Sequence, residues 1–415
     1  MPILVVGLGL DPDNLPEQHV GHIEHATVLV GGKRQLAAFE DHPAEKIEIT
    51  SPLSRVLEQI KEAENNRLDV VVLADGDPLF FGIGNTLVRE LGPDHVTVLP
   101  NVTSVQTAAA RLKIPLQDIR TVSLHGRGDF RPLLSALLAD KWVAVLTDAD
   151  NVPSALAQSL LDKGVDYYTM WVFEDLESGK EKVASYSLEQ AAHTTFSRLN
   201  IVIFERRGDP EVALGLGIPD HEFARERNLI TKQPVRAAGL AALRLHAGHT
   251  VWDLGAGCGA VGVEASVLAC RGRVYAVEKK GERVSHIREN ARRMGALLVE
   301  PVHGTMPACL ADLPDPDRIF VGGGLGRSSE VLEAACDRLV SGGRIVVHCV
   351  LFSSLAQARQ TFETLGWPHE VTMVHPSLGE ALGGDMRLKA ENPVFIVAAD
   401  KVEGSGKAGQ GGGDA

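Results

Sequence analysis

Residues 251–262 read Val-Trp-Asp-Leu-Gly-Ala-Gly-Cys-Gly-Ala-Val-Gly and constrain the fold of this chain more than any other segment. Apolar residues run up to Asp253, glycines follow at 255, 257 and 259, and a helix-like stretch begins at Val261 and runs to Cys270. That order predicts a strand, a tight turn and a helix N-terminus, which together seat a nucleotide-like ligand. Gly257 to Gly262 formally matches the dinucleotide pattern G-x-G-x-x-G. The longer frame D-x-G-x-G-x-G starts at Asp253 and places a carboxylate before the glycines. An acid there suits a ligand with a cationic end better than an anionic pyrophosphate.

At 415 residues the chain has room for two or three domains, each able to bury a core. Hydrophobic content of 44% and charged content of 23% place it among globular proteins. No apolar run approaches the roughly 20 residues of a membrane span. The start, Met1-Pro-Ile-Leu-Val-Val-Gly, reads as a first strand rather than a signal peptide. Five scattered cysteines without a C-x-x-C pair read as reduced thiols of a cytoplasmic protein. A net charge of −13 disfavours a nucleic-acid or membrane-surface partner.

Gly/Pro punctuation between Gly208 and Glu222 marks a linker, dividing the chain into residues 1–207 and 223–401. Residues 402–415 are rich in Gly and Ser and form an expected disordered tail. In the first half Ile3–Val6, Val70–Leu73, Val96–Leu99, Val122–Leu124, Val143–Leu146 and Ile201–Phe204 are strand candidates. Their unbroken Val/Ile/Leu runs predict strands buried on both faces, as in a helix-covered parallel sheet. In the second half Thr250–Leu254, Arg273–Glu278, Arg318–Val321 and Gly343–Val350 predict a second doubly wound α/β unit. Phe395–Ala398 reads as a late edge or hairpin strand, and Val235–Leu245 as a helix with Pro234 in its first turn.

Candidate ligand residues follow from these elements. Glu278 ends the strand after the glycine loop, where an acid accepts hydrogen bonds from ribose hydroxyls, a role compatible with either ligand class. Thr231 precedes the helix. The cluster Arg225, Arg227, Lys232, Arg236 and Arg244 is either an anion site or a solvated face. His125 and Arg127 lie after a predicted strand, where they can bind a substrate carboxylate. His303 and His348 are weaker candidates for a proton donor. No Ser-His-Asp order, metal-ligand cluster or Walker loop is evident, and no catalytic residue is assigned.

Family resemblance sharpens both halves. Thr231-Lys232, Trp252–Gly259, Val274–Glu278, His303–Pro307, Val321–Gly324 and Asn392–Val394 together resemble the decarboxylating precorrin methyltransferases of cobalamin synthesis. These have a Rossmann-like fold that binds S-adenosylmethionine (SAM). The resemblance implies cofactor contacts at Thr231, Gly255, Ala256, Gly257, Cys258, Gly259, Glu278 and Met306, and Asp253 joins them as the carboxylate that can order the turn and attract the cationic methionine end. Gly304-Thr-Met-Pro-Ala308 stands where the family often has Gly-Asp-Ala-Pro-Glu, so the Met306 contact is expected through the backbone. In the first half Gly76-Asp-Pro-Leu-Phe-Phe-Gly-Ile-Gly84 resembles the G-D-P loop of the tetrapyrrole methylases. That unrelated α/β fold of two subdomains implies SAM contacts at Gly7, Gly9, Gly76, Asp77, Pro78, Leu79, Thr103 and Ser104. Here Gly7-Leu-Gly9-Leu-Asp11 departs from the usual G-x-G-P-G.

Together the resemblances imply two SAM sites and a tetrapyrrole substrate. The implied reaction methylates carbons 5 and 15 and decarboxylates the ring C acetate, taking precorrin-6Y to precorrin-8X. The first half is implied to serve carbon 5 and the second carbon 15 and the decarboxylation, with His125, Arg127 and Arg236 on the substrate. A homo-oligomer is expected, without metal. The same chemistry on a cobalt-bearing macrocycle, an N-terminal half that only binds tetrapyrrole, and an NAD-dependent oxidoreductase are the rival readings.

Overall fold

The computed structural model describes residues 2–124, 126, 128–325 and 329–402. His125 and Arg127 lie outside the described residues, as does the expected tail from residue 403 onward. The chain forms two compact units. One comprises Met1–Gly128, Asp140–Gln158 and Tyr168–Arg206; the other comprises Asp129–Ala139, Ser159–Tyr167 and Arg207–Ala415. The division therefore does not follow one cut in the sequence. The segment read as a linker also belongs to the second core, since Ile218 is buried there and Val212 and Leu214 pack against it. No described helix is long and apolar enough to cross a membrane.

The first unit holds two five-stranded sheets. Strands β1 (Ile3–Gly7), β2 (Val28–Gly31), β3 (Glu45–Glu48), β4 (Val70–Ala74) and β5 (Val96–Leu99) are parallel, in the order β3-β2-β4-β1-β5. β4, Val-Val-Val-Leu-Ala, is buried along its whole length, as a central strand covered by helices on both faces should be. Val5, Val30 and Val72 serve one core while Val6, Leu29 and Leu73 serve another, which is the alternation of a pleated strand.

The second sheet departs from expectation. Strands β6 (Ile119–Ser123), β7 (Trp142–Leu146), β8 (Tyr168–Glu174), β9 (Lys182–Ser187) and β10 (Asn200–Arg206) are ordered β6-β7-β10-β8-β9. Only β6 and β7 pair in parallel; every other pairing is antiparallel. Buried strands of either kind carry the same apolar runs, so composition alone did not separate them.

The second unit is built on a seven-stranded sheet of β11 (Thr250–Leu254), β12 (Arg273–Glu278), β13 (Val299–His303), β14 (Arg318–Val321), β15 (Arg344–Cys349), β16 (His369–Val374) and β19 (Val394–Asp400). The hairpin β17 (Ser377–Leu382) and β18 (Asp385–Ala390) intervenes before β19. The order β13-β12-β11-β14-β15-β19-β16 places β19 between β15 and β16, antiparallel to both. β19 is thus an interior strand rather than an edge, and its antiparallel pairing with β16 fits the hairpin alternative. The edge on that side is β16, whose residues Val371 and Met373 are exposed and gave no core-like pattern.

Candidate functional sites

In each unit a cavity opens where glycine loops leave the C-terminal ends of parallel strands. The first has a volume of about 580 Å³ and is lined from Gly9 and Leu10, from Leu73 to Asp77, and from Phe80 to Ile83. Thr103 and Ser104 close it at a helix start, and Ser123, Leu146, Thr147, Phe173, Arg198 and Asn200 line it from the second sheet and the loops at its strand ends. Gly9 and Gly76 bridge the two loops, with the Gly76 amide donating to the Gly9 carbonyl at 2.9 Å. A Cβ on Gly7 would stand 2.3 Å from the Gly76 carbonyl oxygen, so Gly7 holds the loops together from behind the cavity wall. Asp77 orders its own turn, its Oδ1 accepting the Leu79 amide at 2.8 Å.

The sequence-derived residues of this unit divide accordingly. Gly9, Gly76, Asp77, Thr103 and Ser104 line the cavity, whereas Gly7, Pro78 and Leu79 shape the loops around it. The Thr103 hydroxyl accepts the Gln106 amide at 3.2 Å, and Gln106 Oε1 accepts the Thr103 amide at 2.8 Å. That reciprocal cap starts the helix Ser104–Leu112 and brings its N-terminus to the cavity. Arg34, Phe81 and Arg198, none of them assigned a role from sequence although Phe81 lies within the Gly76–Gly84 motif, also line it. Arg34 is paired with Asp75 at 2.6 Å.

The second cavity has a volume of about 830 Å³. Gly255, Gly257 and Gly259 all adopt positive φ, at 69°, 59° and 79°, which L side chains rarely occupy. Gly255 meets a second demand, since a Cβ there would lie 2.4 Å from the Gly323 carbonyl oxygen. The Gly255 and Ala256 amides both donate to the Val277 carbonyl at 3.0 Å. Glu278 completes the cradle: Oε2 accepts the Gly257 amide at 3.1 Å and Oε1 the Lys280 amide at 3.0 Å. Thr231, Gly255 to Cys258, Glu278 and Met306 line the cavity together. Gly259 lies behind it as the N-cap of the helix Ala260–Leu268, against Ile287.

Asp253 is 1% exposed and does not line the cavity. Its Oδ2 accepts the Gly262 amide at 2.9 Å, tying the strand to the helix, while Oδ1 is buried without a partner. Burial holds this carboxyl up at about 7, and the Glu278 charge adds to the effect.

Arg236 corrects the reading of a substrate anchor. It has no exposed surface. Its Nε donates to Glu264 at 2.8 Å, and Nη1 donates to Asp220 at 3.1 Å and to the Thr231 carbonyl at 2.7 Å. Nη2 donates to the Ile218 carbonyl, and Phe223 covers the guanidinium at 5.1 Å. Every donor is thus directed inward, and its relation to the cavity is to fix the Thr231 segment. The surrounding basic cluster also disperses, with Lys232 the one member that lines the cavity.

Sequence reasoning passed over Lys279, which brings positive charge to this cavity, and Arg283, which lines it paired with Glu226 at 2.8 Å, and gave His348 little weight. His348 sits near the end of β15 against Phe320, with ring centroids 4.5 Å apart. Its buried Nε2 has no hydrogen-bond partner, and burial lowers its pKa to about 4. A Cβ on Gly239 would stand 2.5 Å from that nitrogen, so the glycine makes room for the ring. His303 does not line the cavity. Among the described residues no group of side chains is arranged to hold a metal.

Comparison with known proteins matches the two parts of the chain to two family models. A model of the tetrapyrrole (corrin/porphyrin) methylases matches residues 2–192, and one of a precorrin methyltransferase domain matches residues 221–401. A protein of Sinorhizobium named precorrin-6Y C(5,15)-methyltransferase [decarboxylating] is 35% identical over 84% of each chain. One of the same name from Mycobacterium tuberculosis is 33% identical over 94% of this chain and 98% of its own. A probable cobalt-precorrin-6B C(15)-methyltransferase (decarboxylating) of Saccharolobus solfataricus is 35% identical over 45% of this chain and 96% of its own. The chain belongs to the family of decarboxylating precorrin-6Y C5,15-methyltransferases.

Proposed function

We propose that this chain methylates carbons 5 and 15 of precorrin-6Y and decarboxylates its ring C acetate, drawing on SAM at two sites, one in each unit. The observation that carries the reading is the pair of separate cavities, each walled by the glycine loops whose motifs imply SAM. SAM supplies an activated, electrophilic methyl group. The residues present fit such a ligand. Backbone at Gly9, Gly76 and Ser104 offers polar contacts in the first cavity, and Glu278 offers carboxylate oxygens to ribose hydroxyls in the second.

Among the described residues neither cavity shows a nucleophile–base pair. A reduced macrocycle carbon is already nucleophilic, so what remains for the protein is to align reactants and exclude water. In the second unit Lys279 supplies charge for a substrate carboxylate, while Lys232 and Arg283 on the same lining are paired with Asp220 and Glu226. Relatives aligned along most of this chain are named for precorrin, while one matching less than half is named for cobalt-precorrin, which supports a metal-free substrate. The reading includes a cytoplasmic homo-oligomer acting on a small molecule, without nucleic acid.

Calorimetry of the full chain with S-adenosylhomocysteine (SAH), and mass spectrometry of products from precorrin-6Y, test the proposal. Two binding events and a product with two methyl groups gained and one carboxyl lost are expected. A chain that binds no SAH, or returns the macrocycle unchanged, overturns it.

A further inference from the structure

The open end of the first cavity carries two features that its cofactor motifs leave unused. Phe81 lines the cavity, is 55% exposed and adopts a φ of 55°. A bulky residue held in left-handed backbone with its ring in solvent is an outlier that calls for a functional explanation. The loop enforces it: the Phe80 amide donates to the Asp77 carbonyl at 3.0 Å and the Gly84 amide to the Pro78 carbonyl at 3.0 Å. Phe80 packs toward the core and meets Phe81 edge-on at 5.1 Å, so the outer ring is braced from behind.

Arg198 is the second feature. It is exposed at the same cavity, beside Leu199, which is 49% exposed. Its backbone is clamped on both sides. The Ser197 amide donates to Glu174 at 2.6 Å, the Asp175 amide to the Leu199 carbonyl at 2.9 Å, and Asn200 Nδ2 to the Ser197 carbonyl at 2.7 Å. The Arg198 guanidinium has no hydrogen-bond or ion-pair partner among the described residues, whereas Arg34 on the same lining is neutralised by Asp75. A fixed base carrying an uncompensated guanidinium on the same cavity lining as an exposed apolar ring favours an anion attached to a flat apolar body.

We propose that this open end seats a flat, carboxylated ring system, with Phe81 against the ring and Arg198 on one of its carboxylates. The inference rests on the reading of the first unit as a tetrapyrrole methylase and names the residues that hold the substrate there.

The test titrates the full chain with uroporphyrin, a flat ring with a carboxylate-rich rim, and with its methyl ester, followed by fluorescence. SAH affinity is measured in parallel by calorimetry. Arg198→Gln should weaken uroporphyrin binding about tenfold to a hundredfold, the range expected for a lost charge-assisted bond, and leave the ester unchanged. Arg198→Lys should fall between, having charge without the planar fork. Phe81→Leu should weaken acid and ester alike. Uroporphyrin held in the second unit's cavity contributes a component that none of these variants alters. SAH binding should match wild type throughout. The seat is overturned if wild type takes up no uroporphyrin, if Arg198→Gln binds it as wild type does, or if the variants lose SAH in parallel. A wild-type chain that binds no SAH sinks the methyltransferase reading instead.

Discussion

Arg236 shows how far a residue's role depends on where its charge ends. From sequence it was a cation available to an anionic substrate; in the fold it is buried, with carboxylates and carbonyls taking its donors. Removing one member of a buried ion pair leaves the other charge uncompensated, at about 3–5 kcal/mol. Arg236→Gln should therefore destabilise the second unit by an amount of that order, read as a lowered urea midpoint, and Glu264→Gln should behave similarly. A variant as stable as wild type but with a raised substrate KM would restore the anchor reading. Asp253 lends itself to a pH test. Its folded pKa of about 7 lies above the unfolded value, so between about pH 4 and 7 the native state holds a proton the unfolded chain has lost. Wild type therefore loses stability relative to Asp253→Asn as pH rises through that window, by a few kcal/mol at most. Urea unfolding of the pair at pH 5 and pH 8 reads the difference, and an unchanged gap would refute the shift. Comparing the two proteins cancels His348, whose lowered pKa makes stability rise with pH over a similar range.

Among elements, legibility followed burial. β1, β4, β10 and β11 are buried nearly throughout, and their apolar runs stood out against polar flanks. β9 and the hairpin β17–β18 are exposed along most residues, so no core demands a pattern of them and none was visible. The glycine loops were legible for a different reason, because positive φ and close backbone approach restrict those positions to glycine. Arg198 and Phe81 carry no such signature: what marks them is an absent partner and a strained φ, both properties of the folded chain. The exposed hairpin yields its own expectation. Its neck is closed by the Glu391 amide donating to the Pro376 carbonyl at 3.0 Å, and its strands contribute no buried residue. Replacing residues 377–390 by a short turn should move the thermal midpoint of the second unit by no more than about 3 °C, since exposed changes fall within about 0.5 kcal/mol. A drop many times larger would show that the hairpin supports the fold.

At the scale of the whole molecule, two cavities on two unrelated sheets predict separable lesions. Gly7→Ala drives a Cβ against the Gly76 carbonyl, and Gly255→Ala does the same against the Gly323 carbonyl. Each should remove one SAH binding event in calorimetry and leave the other. Mass spectrometry should then show one methyl group gained in either variant, with the carboxyl lost only when the second unit is intact. Simultaneous loss of both methylations from either lesion would argue against independent sites. The reversed strand β19 has a consequence for how such a site changes over time. Because β19 runs antiparallel to β15, with Phe395 opposite Cys349, and to β16, with Val394 opposite Val374, residues 375–393 leave and re-enter the sheet at its ligand end. Pro376, Glu391 and Asn392 at that root line the cavity. Lengthening such an insertion adds little loop-closure entropy and breaks no sheet pairing. Here, then, is a place where an evolving or engineered enzyme can reshape its reach over a bulky ligand while the scaffold beneath stays as it was.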